Sequence, residues 1–595
     1  MKDFLKQVAA VIIGVFVIGV FTAIMGIIMM TAIVGSSNQK TPLTSGAILH
    51  LNLNGTIAER TAENPFAEIL GNTAIQEQGL DQILKAIKVA KTNDKISLVA
   101  KTNDKISGIY IEGGAVSTDF ASLEEIRKAL VDFKDSKKFI YAYGENYTQG
   151  AYYLASVADK VVINPSGMLD WHGIASQPMF YKELLNKFGV KMQVFRVGTY
   201  KSAVEPFTNT EMSPANRAQV KSFISDIWGV VCNDVAASRN LSVDTLNYYA
   251  DSYSTFKDAS EYVEMNLVDT TAFIDAVRDD LRALAKTDRL SLMSPKDVAL
   301  YEEAPVHDNV AVYYAFGDIV GGEQSNPLSN TAQIVGPDVV KDLDELMNDD
   351  NIKAVVLRIN SGGGSAFASE QMWRAIQLLK AKKPVVVSMG GMAASGGYYM
   401  SCGADYIIAE PTTLTGSIGI FGMIPDVSGL LTDKIGLHFD VVKTNEASDF
   451  GTMSRGFNAG ESAAMQNYVN RGYSLFLKRV ADGRGMQTAS VDSIAQGRVW
   501  TGKQALEIGL VDKLGTLDDA VAEAARRANL DSYSVVSSPK LGNWMDMLTN
   551  TLETGYLENQ LRSNLGEFYA PLKFAKTLEG RDCLQARIPY APNLN

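Results

Sequence analysis

The chain has 595 residues, too many for one ordinary core, so about two to four domains are expected. Hydrophobic residues make up 46% and charged residues 21%, which is a globular balance, and the net charge of −12 excludes a protein that neutralises a run of nucleic-acid phosphates. Four histidines (His50, His172, His307, His438) and three cysteines (Cys232, Cys402, Cys583) lie too far apart for a metal-ligand spacing or a disulfide framework. No metal or other cofactor is therefore expected, and His drops out of most catalytic schemes.

At the N-terminus, Val8 to Val34 carries no charged residue. A helix rising about 1.5 Å per residue would cross a bilayer core of about 30 Å over that stretch. Lys2 and Lys6 precede it, while Gly35, Ser36, Ser37 and Asn38 follow. The run exceeds the apolar region of a signal peptide and ends in no clean small-x-small cleavage site. The expectation is an uncleaved anchor, with the N-terminus inside and the body outside the cytoplasm. Further on, Val89–Ser97 recurs verbatim as Val99–Ser107, which reads as a local surface duplication ahead of a strand over Gly108–Ile111.

Lys138–Tyr143 is strand-like and leads into a small-residue segment, Gly144–Ile174. Met192–Val197 is a second strand-like run, followed by Gly198-Thr199-Tyr200-Lys201-Ser202-Ala203-Val204-Glu205-Pro206-Phe207. Read alone, Lys201 is a solvated surface lysine, whose pKa of about 10.4 makes it a poor base; burial in an apolar pocket would lower that value. Lys286–Pro305 reads as a linker. Beyond it, Ala354–Ile359 is apolar and β-branched, Phe367–Lys380 is helix-compatible, and Pro384–Met389 and Tyr406–Ala409 are strands. Continuous apolar strands between helices indicate a parallel sheet covered on both faces, an α/β fold.

Two loops in this second half could carry chemistry. Asn360–Ser365 places three glycines at the carboxyl end of a strand, where backbone amides can cradle an anion; neither a phosphate-loop nor a dinucleotide pattern is met, and a plain tight turn is the alternative. Ala393-Ala394-Ser395-Gly396-Gly397 puts a serine at the start of a helix, either as a simple N-cap or as a nucleophile beside first-turn amides. The amides of Gly363 and Gly396 could together form an oxyanion hole.

The two halves repeat. Aligning Asp159 with Asp405 brings Tyr152–Tyr153 onto Tyr398–Tyr399, Pro165 onto Pro411 and Gly173 onto Gly419, and Leu267–Asp269 echoes Leu510–Asp512. A duplicated unit of about 240 residues follows. The expected domains are an anchor over 1–40, repeats over 45–290 and 291–540, and a C-terminal extension over 541–595.

With these motifs the chain resembles the bacterial signal peptide peptidases, or protease IV family, in their long tandem form. The resemblance covers essentially the full length and implies a duplicated Clp-protease/crotonase-like fold preceded by one transmembrane helix. Tyr200–Phe207 matches the family motif that carries the general-base lysine, which implies that role for Lys201. Ala393–Tyr399 matches the motif of the nucleophile, implying Ser395, and Ser417 corresponds to the serine that positions the lysine amine. Gly362 stands where the family often has proline, which loosens the Asn360–Ser365 loop. Gln149 replaces the nucleophile in the first half, and Ser448 stands near the position matching Lys201 in the second, so each copy keeps what the other lost.

The resemblance further implies an endopeptidase acting through an acyl-enzyme on apolar signal-peptide remnants, assembled as a homotetramer. With the anchor, it implies a single-pass protein of the inner membrane whose catalytic body lies on the periplasmic side. A crotonase-like acyl-CoA enzyme and a non-catalytic membrane scaffold are the competing readings.

Overall fold

Ala47–Asn52, Ile106–Gly113 and Phe139–Gly144 are apolar along most of their length, which suits strands covered by helices on both faces. The computed structural model describes residues 43–61, 77–91, 105–302, 309–322 and 332–540, with Phe21, Met25 and the backbone of Leu584–Arg587. It gathers those strands into a six-stranded parallel sheet in the order Leu292–Met293, Ala47–Asn52, Ile106–Gly113, Phe139–Gly144, Lys160–Ile163, Thr270–Thr271. A second parallel path repeats that order with Ser534–Ser538, Asn309–Phe316, Ile352–Ser361, Val385–Ala394, Tyr406–Ala409 and Lys513–Leu514. The tandem α/β duplication is thus visible as two sheets of one topology.

The same side-chain locks close both copies. The Tyr152 hydroxyl donates to the Leu267 carbonyl at 2.7 Å, and that of Tyr398 to Leu510 at 2.8 Å. Asp159 accepts from the Ile140 amide at 2.9 Å, and Asp405 from that of Val385 at 2.8 Å. Arg239 pairs with Asp269 at 2.8 Å, and Arg484 with Asp512 at 2.6 Å. Each arginine ends a 26-residue helix, Pro214–Arg239 or Ala459–Arg484, stopped by a left-handed residue (Asn240, Gly485).

A small sheet flanks each copy. In the first half, Gly55–Ala58 pairs with Glu77–Gly79 and Val116–Ser117. Its counterpart joins Gln333–Val335, Asp318–Val320 and Gly363–Ser365, then runs on through Leu584–Arg587 and Phe421–Asp426 to Lys191–Arg196. A first-half strand therefore completes a second-half sheet, and the first-half core takes in Ala394, Leu414 and Val499.

Several expectations are corrected. Among the described residues no helix is long and apolar enough to cross a membrane; the two 26-residue helices carry charges along their length. Val8–Val34 itself lies outside the described residues apart from Phe21 and Met25. The transmembrane helix is withdrawn, and with it the membrane attachment, the inner-membrane location and the periplasmic side. Signal-peptide remnants as substrate and the homotetramer rested on the resemblance, with the anchor in support of the first, and are not carried forward. Lys286–Pro305 is not a bare linker: Leu292–Met293 joins the first sheet, and Pro295–Ala299 is a helix capped by Ser294. Most of the verbatim repeat lies outside the described residues.

Candidate active site

The strand Val385–Ala394 delivers Ser395 at its end, in a conformation few side chains adopt, φ 56° and ψ −110°. Such backbone costs about 1–3 kcal/mol and persists only where its surroundings fix it. Here the Ser395 amide donates to the Gly416 carbonyl at 2.8 Å, while its own carbonyl accepts from Tyr399 at 2.8 Å. Ser395 stands at the N-cap of the helix Gly396–Ser401, yet its side chain makes no capping bond. The simple N-cap reading therefore fails, and the hydroxyl points elsewhere.

It meets Lys201. The Nζ of Lys201 lies 2.6 Å from Ser395 Oγ, 3.0 Å from the Ser417 carbonyl oxygen and 3.1 Å from Ser417 Oγ. All three residues are fully buried. Burial holds the Lys201 amine well below its ordinary pKa, because an ammonium ion there would lose its hydration. The amine's three neighbours are the two Ser417 oxygens and the Ser395 hydroxyl, each within hydrogen-bond distance of Nζ.

Lys201 is brought in from the first half. Lys191–Arg196 pairs antiparallel with Phe421–Asp426, setting the direction of the following segment. The Tyr200 amide donates to Gln496 O at 2.9 Å. Gly497, at φ 82°, packs so closely that a Cβ there would stand 2.6 Å from the Lys201 Cβ. Gln219 braces the other side: its Nε2 donates to Tyr200 O at 3.1 Å and Ser202 Oγ at 2.9 Å, and its Oε1 accepts from the Val499 amide at 3.2 Å. Buried Glu205 anchors the end of the segment, accepting from Ser213 Oγ at 2.6 Å and Asn216 Nδ2 at 3.0 Å.

Ser417 also has positive φ, 49°, following Gly416 at 72°, and its amide donates to Arg498 O at 2.7 Å. Of the two expected oxyanion donors, Gly396 opens a helix, so its amide has no acceptor within that helix. The Gly363 amide, at φ 99°, donates to Ser361 Oγ at 3.1 Å in this state. Of the three glycines, Gly363 and Gly364 are drawn into a strand beside Asp318–Val320.

The equivalent place in the first half is closed. Gln149 is buried, and its Oε1 accepts from the amides of His172 at 3.1 Å and Gly173 at 3.0 Å, while its Nε2 donates to Gly173 O at 3.1 Å. Ser448 is exposed and bonded locally to Thr444 and Asn445. Sequence reading missed Gln219 and the Gln496–Arg498 turn, which carry no recognisable motif; the turn also lies almost three hundred residues beyond the segment it holds.

Comparison with known proteins finds peptidase family S49 matching residues 132–288 and 377–531, one block in each half, and Clp protease matching 329–413. The chain is 39% identical over 517 residues to Protease 4 of Salmonella typhi, covering 84% of this chain and 81% of that one. It is 34% identical over 529 residues to Protease 4 of Haemophilus influenzae, covering 84% and 83%. With the chloroplastic serine protease SPPA of Arabidopsis thaliana, identity is 30% over 435 residues, covering 71% and 63%.

Proposed function

The chain belongs to peptidase family S49 and is a serine protease, and from that premise we propose that Ser395 is its nucleophile and Lys201 its general base. The observation that carries this reading is the buried 2.6 Å approach of Lys201 Nζ to Ser395 Oγ. Ser395 Oγ attacks the scissile carbonyl carbon as its proton passes to neutral Lys201. The resulting ammonium returns that proton to the leaving amine as the peptide C–N bond breaks. Lys201 then takes a proton from water as its oxygen attacks the acyl carbon; the bond from that carbon to Oγ breaks and the ammonium returns the proton to Oγ, freeing Ser395.

Ser417 holds the amine in line through its hydroxyl and carbonyl. The Gly396 amide, with that of Gly363 once it turns from Ser361, receives the oxyanion; one such donor contributes about 3–4 kcal/mol to the transition state. The cut lies within an extended polypeptide, an endopeptidase reaction.

Labelling by a fluorophosphonate tests the assignment. Wild type should label once, and Ser395→Ala not at all. Lys201→Ala should label far more slowly and without the rise towards alkaline pH that deprotonation of the amine gives below its ordinary pKa of about 10.4. Equal rates and equal pH profiles for wild type and Lys201→Ala would remove Lys201 as the base.

A further inference from the structure

Lys201 sits at the centre of an inverse γ-turn: with φ −76° and ψ 77°, it lets the Ser202 amide donate to the Tyr200 carbonyl at 2.8 Å. The other lone pair of that carbonyl takes Gln219 Nε2 at 3.1 Å, and the same nitrogen reaches Ser202 Oγ at 2.9 Å. Gln219, itself buried, thus holds the residues on both sides of the lysine. A neighbouring buried amide sets its orientation. Asn216 gives its Nδ2 to Glu205 at 3.0 Å, so it turns its oxygen to Gln219 Nε2 at 3.1 Å. Gln219 Oε1 is left to face the Val499 amide, 3.2 Å away in the other half.

Val499 stands opposite Gly416 in an antiparallel pair. The Gly416 carbonyl holds the Ser395 amide at 2.8 Å, and Ser417 comes next in the chain. Two further residues of the helix Pro214–Arg239 bond to the second half: Ser222 accepts from Gln504 Nε2 at 3.2 Å, and Asp226 from Thr501 Oγ1. Spaced three and seven residues after Gln219, they share its face of the helix, but their bonds do not go to the lysine turn. Resting on the assignment of Lys201 as base, we infer that Gln219 is a positioning residue for the reaction. It ties the turn that presents the base to the strand pair that fixes Ser395 and Ser417, so that groups from different halves keep one register. Without it the turn loosens and water reaches Nζ. The amine then moves back up towards its ordinary pKa, because burial alone lowers it.

The test follows fluorophosphonate labelling of the full chain against pH. Gln219→Met, similar in length but without the amide, should label about tenfold more slowly at neutral pH, with the alkaline rise moved up by about one pH unit. Ser202→Ala, which removes a single contact and little volume, should move the rise the same way by less. Asp226→Ala weakens the same helix face and should lower the melting temperature while leaving the rise in place. In a Lys201→Ala chain, adding Gln219→Met should slow labelling no further, because the base it serves is gone. A Gln219→Met profile that is lower but unmoved in pH, or one that Asp226→Ala reproduces, would overturn the proposal and leave Gln219 as packing. So would a further fall in the double variant. If Lys201→Ala keeps the wild-type profile, the base assignment fails and this inference with it. If Lys201→Ala loses the rise while Gln219→Met keeps it in place, this inference alone fails.

Discussion

Burying Lys201 carries a folding cost. Desolvation lowers its pKa, so the folded chain gives up the amine's proton at a lower pH than the unfolded chain does. The unfolded state then binds more protons, and stability rises with pH from the lowered folded pKa up to the unfolded value of about 10.4. Lys201→Met keeps most of the volume and removes the titration. It should raise stability at neutral pH by about 1–2 kcal/mol, flatten that rise, and abolish labelling; denaturation midpoints at neutral and alkaline pH check it, and unchanged slopes would reject it. Ser417→Ala should leave one of its two contacts with Nζ, the 3.0 Å carbonyl, and lose the 3.1 Å hydroxyl. A fall in kcat of about tenfold, about 1.4 kcal/mol, with KM unchanged is expected from peptide kinetics. At this scale the sequence left Ser395 open between cap and nucleophile, since both want a small residue ahead of a helix; its missing cap bond removes the first reading. Lys201 by itself read as a surface lysine, because the glycines that bury it, Gly419 and Gly497, come more than two hundred residues later.

Between elements, the decisive contact is that of the Gly198–Phe207 segment with the Gln496–Arg498 turn. Gly497→Ala would place a methyl group 2.6 Å from both the Lys201 Cβ and its backbone nitrogen, in addition to the strain of φ 82°. Gly436→Ala is the matching control, with φ 83° and nothing within 4 Å of its added Cβ. Both carry about 1 kcal/mol of backbone strain, to which Gly497→Ala adds the cost of its clash. Only Gly497→Ala should slow labelling, by about a hundredfold, since a displacement of about 1 Å can cost that much. Equal labelling of the two variants would show that this packing does not set the lysine. The strand before Lys201 was legible to within one residue, Met192–Val197 expected against Lys191–Arg196 found, because its apolar character is local. Leu292–Met293 was not legible: two residues show no periodicity, and only the neighbouring strand Ala47–Asn52 makes them a strand.

For the whole molecule, the duplication was plain in sequence because the paired tyrosines, aspartates and glycines keep a nearly constant spacing. The joint between the copies was not, since it is made of charges that read individually as surface residues. Arg358, fully buried, bonds Glu59 at 2.8 Å and Glu125 at 2.7 Å, both from the other half. Two residues along, Asn360 donates to the free oxygen of Glu59 at 2.9 Å and accepts from the Met392 amide at 3.0 Å. The joint therefore also fixes the start of the glycine loop. Burial holds the Glu59 carboxyl above its ordinary range even with Arg358 beside it, so desolvation outweighs the attraction. Arg358→Met removes the attraction and leaves the desolvation, an imbalance that costs about 3–5 kcal/mol. A carboxyl whose folded pKa is raised binds its proton more readily in the folded state, so its contribution is favourable at low pH and fades as pH rises. The deficit of Arg358→Met should accordingly widen from acid to alkaline pH. Glu59→Gln added to it should recover part of the loss at neutral pH and little in acid, where the carboxyl is already protonated. Melting wild type, the single and the double variant across that range decides it: a single variant that melts with wild type at every pH would show that this buried ion cluster does not hold the halves together.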